Sequence, residues 1–458
     1  MRHHWYFVIF SAALGLGAAA LAEELPPPEG AERITIVGTP RKPDRATTTV
    51  PPFTLLYQFP GTKDVYDPRG GLAMDSKGNL YGTTYYGGKS STSGVIYRLT
   101  PPKSGNGLWT YTLLHSGTLY KQGIAPTAPL TIVGETIYGT MGAGGSPACG
   151  CGVVFKISTN GTGYHEFHVF GPDFPAKQVH GATPWGGLLI IGDTMYGTTT
   201  AGGKYYNGVL FKMSTGGGGY SVLHHFEPQP GCPVDECQNS GPEGELVLGK
   251  DGMIYGTQFG GGKYNQGMIF RIAKNGSGFQ DLYDFKGVNQ PGNSTDGAQP
   301  QGRLAVGSDG TIYGTTAFGG TPSDYGTAWS WSAADGYHQL YRFEAYDFYS
   351  ANIPHSGLVI DGNVLYGAGA GGGEYQCGAI YKLTPPTSGT LWNYNTLYSD
   401  ACFPSDPAGD IAFADLLLNN HLLYGANAAG GPATENCEVT DTNIGCGTVF
   451  RINPANSP

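Results

Sequence analysis

The residues best suited to chemistry in this chain are aromatic. Tyr85 and Tyr86 precede Lys89, Tyr205 and Tyr206 follow Lys204, Phe259 and Tyr264 flank Lys263, Tyr325 follows Phe318, and Tyr375 follows Glu374. Trp185 lies in a separate Pro- and Gly-bearing segment. Rings beside polar groups suit sugar faces, because pyranose CH groups stack on an aromatic surface while hydroxyls take hydrogen bonds. Packing under loops is the competing role for any single ring. As a set in equivalent segments, these nine are the candidate ligand-binding residues.

Carboxylates and imidazoles form a second, weaker set: His180, Asp235, Glu236, Asp296, Asp347, His355, Asp406 and Asp410. Carboxylates that converged could hold a calcium ion through oxygen, but no Asp-x-Asp-x-Asp-Gly loop exists. No metal site and no cofactor are therefore expected. The chain has no Gly-x-Ser-x-Gly elbow, no His-Glu-x-x-His and no complete Gly-x-x-x-x-Gly-Lys-[Ser/Thr] phosphate loop. Gly367 to Gly372 fits a dinucleotide fingerprint in letters only, since no helix pattern follows it. No catalytic residues are assigned.

These candidates are positioned by a repeat. Tyr-Gly pairs begin at Tyr81, Tyr138, Tyr196, Tyr255, Tyr313, Tyr366 and Tyr424, at spacings of 57, 58, 59, 58, 53 and 58. A fixed period of this size marks a tandem-repeat architecture. Each unit carries four strand signals. The first holds a Leu (Leu72, Leu130, Leu188, Leu246, Leu304, Leu358, Leu416), the second ends in Tyr-Gly, the third resembles Val153-Val154-Phe155-Lys156-Ile157, and the fourth is aromatic-rich. Turn signals such as Asp251-Gly252 and Asn160-Gly161 join them as hairpins. Four antiparallel strands repeated about a centre predict an all-β fold, a single seven-bladed β-propeller.

The seventh unit lacks a fourth strand after Phe450-Arg451-Ile452, while residues 53–59 match the fourth-strand pattern ahead of the first unit. The N-terminal strand is therefore expected to complete the last blade and close the ring. A Pro stands four residues before the first-strand Leu in six units (Pro68, Pro126, Pro184, Pro242, Pro300, Pro354), where it suits the start of a strand. The Gly after each Tyr is expected to permit close backbone approach between blades. The recurring basic residue (Arg98, Lys156, Lys212, Arg271, Lys382, Arg451) is expected to make a structural contact or line a solvated edge. The fourth-strand histidines (His115, His165, His168, His224, His225 and His338) are expected at the surface rather than in catalysis.

Composition agrees with this fold. Gly is 76 of 458 residues, too many for a helical protein, and 12% aromatics argue against disorder. A net charge of −10 without a Lys/Arg cluster beyond Arg41 and Lys42 makes the chain a poor candidate for binding nucleic acid or anionic membranes, and neither is expected as a partner. Residues 1–22 read as a signal peptide, with Arg2, His3 and His4 ahead of an apolar Tyr6–Leu21 stretch and Ala20-Leu21-Ala22 before Glu23. That stretch is shorter than the about 20 residues a span needs, so no membrane span is expected in the mature chain. Residues 23–52 are a Pro/Thr-rich linker, and 53–458 form the propeller. Export and an even cysteine count favour disulfides: Cys232 with Cys237, Cys437 with Cys446, and Cys377 with Cys402. Cys149 and Cys151 either pair in a tight ring or stay free.

The pattern Pro-x-x-x-Leu, Leu/Ile-Tyr-Gly-Thr-Thr, Gly-Gly and Gly-Val-Val-Phe-Lys-Ile resembles the Gloeo/Verruco (GloVer) tandem repeat of exported bacterial proteins, over nearly all of residues 53–452. The resemblance implies a secreted or periplasmic product, here with no terminal anchor, and carries no chemistry to transfer.

A compact WD-type blade needs only about 40–45 residues. The surplus here falls between the second and third strands and between blades, and both loop classes emerge on one face. The expected function is a secreted, monomeric binding module that recognises extracellular carbohydrate or a surface protein through that face. Alternatives are a propeller hydrolase or lyase using loop carboxylates, and a structural envelope protein.

Overall fold

The structure is a computed structural model that describes residues 53–59, 65–89, 93–103, 107–118, 122–171, 180–228, 241–287, 296–320, 324–344, 351–400, 414–429, 438–439, 442–443 and 446–456. Seven four-stranded antiparallel sheets follow one another along the chain. Blade 1, for example, contains Ala73–Met74, Leu80–Thr84, Val95–Thr100 and Thr110–Ser116 in that order. No α-helix occurs among the described residues.

Blade 7 comprises Leu417–Asn419, Leu422–Asn427 and Thr448–Ile452, and its outer strand is Thr54–Gln58 from the other end of the chain. Leu55 faces Phe450 and Gln58 faces Thr448 in this pair. The Leu56 carbonyl also accepts from Trp109 N of blade 1 at 2.9 Å. The ring is closed through this strand.

The core lies between blades. Seven buried clusters each join two neighbours, such as Ile96 and Leu114 of blade 1 with Leu130, Met141 and Phe155 of blade 2. The cluster holding Leu56, Phe59, Val95, Tyr97 and Val449 joins blade 7 to blade 1. Second strands are therefore mostly buried, and Leu80–Thr84 is buried along its whole length.

Several recurring residues have roles other than those expected. The Gly after Tyr makes room within its own blade. Gly82 faces Tyr97 and Gly139 faces Phe155 across the ladder. A Cβ at Gly82 would lie 2.4 Å from the Tyr97 hydroxyl, and one at Gly139 would lie 2.7 Å from Phe155 Cζ. The third-strand ring thus crosses the bare glycine backbone.

The prolines clasp the preceding blade. Pro126 Cδ would lie 2.6 Å from a Cβ on Gly94, and Pro184 Cδ 2.5 Å from one on Gly152. The residue before each of these prolines is left-handed, with φ 54° at Ala125 and 58° at Thr183. Thr183 N donates to Cys151 O of blade 2 at 2.8 Å, and Thr183 O accepts from Thr200 N of its own blade at 3.0 Å. Non-glycine residues tolerate this unfavourable backbone because both of their peptide groups are engaged.

His165 and His338 are exposed, as expected, but His115, His168 and His224 are half-buried between blades. His115 stacks on Tyr164 at 3.6 Å, His168 on Tyr220 at 3.9 Å and His224 on Phe279 at 3.6 Å. Burial pushes all three imidazoles down to about 4. The basic residues make structural contacts: Arg271 bonds Gln280 and Asp251, and Lys156 lies over the Phe167 ring.

Cys149 and Cys151 form a disulfide with Cα atoms 5.2 Å apart. Cys377 and Cys446 are also disulfide-bonded, while Cys232, Cys237, Cys402 and Cys437 lie outside the described residues.

Candidate functional site

In five blades the two long connections are stitched together. Val65–Tyr66 pairs with Tyr86–Gly87 in blade 1, Gly123–Ile124 with Ala143–Gly144 in blade 2, and Ala351–Asn352 with Gly371–Gly372 in blade 6. Single bridges Ala182–Ala201 and Ala298–Phe318 do the same in blades 3 and 5. The segment leading into the first strand and the loop after the second strand therefore share a face.

First strands of successive blades touch, as Ala73–Met74 does Thr131–Val133 and Val359–Asp361 does Leu417–Asn419. They line the axis, with the fourth strands outermost. Just ahead of each first-strand Leu, the chain crosses a narrow neck. One residue before Leu stand Gly71, Pro129, Gly187, Glu245, Arg303, Gly357 and Asp415. These residues meet around the ring. A Cβ on Gly71 would touch Pro129 and Asp415, one on Gly187 would meet Glu245 Oε1, and one on Gly357 would meet Arg303 backbone. Arg303 Nε lies 3.2 Å from Glu245 Oε2. Gly357 N donates to Asp415 Oδ1 at 2.5 Å. Three charged side chains thus occupy space that the glycines leave open.

The next ring outward, three residues before Leu, contains Arg69, Thr127, Trp185, Glu243, Gln301 and His355. Position 413 completes it but lies outside the described residues. Each of these stands two positions before its neck residue, so in an extended segment their side chains share its side. Neighbours meet here too, since His355 Nδ1 lies 2.5 Å from Gln301 Oε1. Trp185 is 38% exposed, and its Cδ1–Nε1 edge overlies Gly142, where a Cβ would sit 2.8 Å away. Arg69 bonds both Asp67 oxygens, at 2.8 and 2.9 Å, and lies 5.0 Å over the Tyr85 ring.

Electrostatics distinguish the carboxyls. Burial pushes Glu243 up to about 8, so it is largely protonated at neutral pH. Burial also raises Glu245, with Arg303 opposing and Asp415 adding to the rise. Burial raises Asp415 against its bond from Gly357 N and the nearby Arg303. His355 is pushed by burial down to about 4 and is neutral. Among the described residues, no three His, Cys, Asp or Glu side chains group as a metal site would require.

Of the nine sequence-derived ring residues, the structure places Trp185 in the outer axial ring and Tyr85 and Phe259 beside it. Tyr85 N donates to Asp67 O and Phe259 N to Gly241 O, which ties both to the segments leading into the axis. Tyr86 stacks on Tyr66 at 5.0 Å and on edge against Tyr85 at 4.7 Å. The remaining loop tyrosines stand further out. Lys204 N donates to His225 Nδ1 and Lys263 N to Asp284 Oδ1, on outermost strands. Tyr205 and Tyr264 follow these lysines and lie under their ammonium groups, at 4.7 and 5.2 Å. Tyr206 and Tyr375 are exposed, and Tyr325 packs against the core between blades 5 and 6.

Sequence reasoning missed Glu243, Glu245, Arg303, Gln301, Asp415 and Arg69. A signal existed. Within Pro-x-small-x-Leu, the Pro, the small residue and the Leu recur, while the two intervening positions change from blade to blade. The position three before Leu carries a different residue type in all seven units. Positions the framework needs stay fixed, and those it leaves free face the axis.

The sequence profile of the Gloeobacter/Verrucomicrobia repeat matches residues 43–237, 149–295 and 242–458. The chain belongs to this family. No curated protein matches this repeat chain. Among solved structures, it is similar to a GH74 enzyme from Niastella koreensis, at 16% identity and TM-score 0.49, over 81% of this chain and 52% of that one. It is also similar to a chain of a nidogen/laminin complex, at 12% identity and TM-score 0.35, over 64% of this chain and 86% of that one.

Proposed function

We propose that this repeat protein is a secreted binding module that recognises extracellular carbohydrate on its long-loop face, with the ligand seated over the axis. The observation that carries this reading is the broken symmetry of the axial rings. A sevenfold framework that repeats elsewhere presents Trp185, Glu243, Gln301, His355 and Arg69 at equivalent positions around one opening. An exposed indole on a ring of hydrogen-bonding side chains suits a sugar, whose CH face stacks on the indole while its hydroxyls take hydrogen bonds. Rim tyrosines such as Tyr205 and Tyr264 would extend the contact outward along a longer glycan.

A second reading is supported by Glu243. A carboxyl held protonated at neutral pH is competent as a general acid. One experiment reads both. The protein from Glu23 to Pro458 is passed over a panel of insoluble and soluble polysaccharides, and the supernatant is analysed for new sugar ends. Retention without new ends, weakened by Trp185→Ala, supports the binding module. New ends that vanish in Glu243→Gln move the function to hydrolysis. Neither retention nor product on any glycan removes carbohydrate from the account.

A further inference from the structure

We propose that the Cys149–Cys151 disulfide is a thiol–disulfide exchange centre on the long-loop face, which accepts two electrons from a partner carrying thiols. This goes beyond the carbohydrate-binding reading and does not depend on it.

The bond is not needed to hold its loop. It links residues two apart, and the constraint a disulfide places on the unfolded chain shrinks with the loop it closes. Backbone bonds already fix the segment. Gly150 N donates to Ser146 O at 2.8 Å, Gly144 N to Gly150 O at 3.1 Å and Gly152 N to Gly144 O at 3.1 Å, while Cys151 O accepts from Thr183 N at 2.8 Å. The other blades supply the control. The same closing bond recurs as Gly208 N to Gly202 O, Gly267 N to Gly261 O and Gly378 N to Gly372 O in blades 3, 4 and 6. Two residues before the closing glycine the backbone is left-handed each time, at Gly150, Tyr206, Asn265 and Gln376. Where blade 2 has Cys149 and Cys151, these blades have Tyr205 and Asn207, Tyr264 and Gln266, and Tyr375 and Cys377. None of those pairs can form a disulfide, and the turn closes all the same.

The two sulfurs differ in access. Cys151 is 7% exposed, in the cluster with Val154, Phe170 and Ala182. Cys149 is half-buried and follows the exposed Pro147-Ala148 pair. An incoming thiolate therefore attacks Cys149 Sγ. A bond forms between the partner's sulfur and Cys149, the Cys149–Cys151 bond breaks, and Cys151 leaves as a thiolate that takes up a proton. A second partner thiolate then attacks the partner sulfur of this mixed disulfide and releases Cys149. The two partner thiols are oxidised to a disulfide and the protein's disulfide is reduced to two thiols, with no further oxidant. Cys149 Sγ lies 3.8 Å from Phe170 O, an acceptor for the freed thiol.

The test treats the whole protein with a dithiol peptide or with reduced glutathione, quenches by alkylation and maps the modified cysteines by mass spectrometry. Cys149 and Cys151 should open first, at thiol concentrations that leave the disulfides of Cys377 and Cys446 intact, and the thermal melt should stay near that of the untreated protein. The peptide should be oxidised in equal molar amount, and Cys149→Ser/Cys151→Ser should fold without oxidising it. Given the oxidised peptide, Cys151→Ser should trap it as a mixed disulfide at Cys149. Cys149→Ser, whose remaining sulfur is buried, should form that adduct at least about tenfold more slowly, since exchange depends on access. A peptide that reacts faster than glutathione at equal thiol concentration assigns a polypeptide partner, and the reverse order assigns a small thiol. Opening of Cys149–Cys151 only together with the other disulfides, or only as the protein melts, makes it a structural crosslink and overturns the proposal. Equal trapping by the two single variants overturns the assignment of Cys149 as the attacked sulfur. Neither result bears on carbohydrate binding.

Discussion

Removing the side chains that lock the N-terminal strand into blade 7 should destabilise the whole ring. Leu56 and Phe59 are 1% and 2% exposed. Both belong to the cluster that joins blade 7 to blade 1. Phe59 also sets its ring edge-on to Tyr97 at 5.3 Å, and its amide donates to Gly447 O at 3.1 Å. Leu→Ala in such a core costs about 2–5 kcal/mol and Phe→Ala about 3–5 kcal/mol. The two residues share one cluster, so the effects should not add in full. About 5 kcal/mol is a sound expectation for Leu56→Ala/Phe59→Ala, against a total stability of about 5–15 kcal/mol. At about 2 °C per kcal/mol for a large domain, the calorimetric Tm should fall by about 10 °C. Leu113→Ala, on an outer strand and 46% exposed, is the control and should change stability by less than about 0.5 kcal/mol. A double variant that melts with the Leu113→Ala protein would refute closure by this strand. A chain beginning at Gly61 should lose still more, since it also forfeits the ladder to Thr448–Ile452 and the Phe53 stacks on Tyr398 and Phe450.

The interblade imidazoles predict acid sensitivity. His115, His168 and His224 titrate at about 4 in the fold and about 6.5 unfolded, so their contribution is whole above pH 6.5 and is lost as pH falls towards 4. After discounting for partial exposure, each should contribute about 1 kcal/mol; the urea midpoint should drop across that window and drop less in the triple His→Phe variant. An equal drop in both proteins would show that other groups control acid unfolding. Glu243 has the opposite sign. Its folded value of about 8 lies above the unfolded one, so its contribution is whole below about pH 4 and is lost as pH rises towards 8; Glu243→Gln should melt above the native protein at pH 8.5, and a lower Tm there would show that the carboxyl is not held neutral. Gly197→Ala would put a Cβ 2.6 Å from Phe211 Cζ and should cost about 1–3 kcal/mol, with Phe211→Leu restoring part of the loss in thermal melts; no rescue would place the strain elsewhere.

Much of the framework was legible because a repeat supplies its own comparisons. The Tyr-Gly pairs fixed the blade count, and the displaced 53–59 strand fixed how the ring closes. What local pattern could not show was contact between blades. The prolines looked like strand-start residues, yet they dock on glycines of the neighbouring blade. The histidines alternate along outer strands, but a bulge between third and fourth strands recurs in every blade, as at Ile96/Tyr97 and Val154/Phe155. The extra residue, Leu114 in blade 1, turns into the next blade against Gly161. Period-two counting fails at such a point. The aromatic loop residues were legible as a class, but their separation into axial and rim positions was not. It depends on hydrogen bonds such as Lys204 to His225, which join residues far apart in sequence. The axial charges were hidden for the same reason, since Glu245, Arg303 and Asp415 meet only when the ring closes.

The most direct measurement is a crystal structure of the protein with an oligosaccharide retained from the panel. The expected result is a sugar stacked on Trp185 over the axis. A sugar seated only on Tyr205 or Tyr264 at the rim, or on the opposite face, would contradict the axial site.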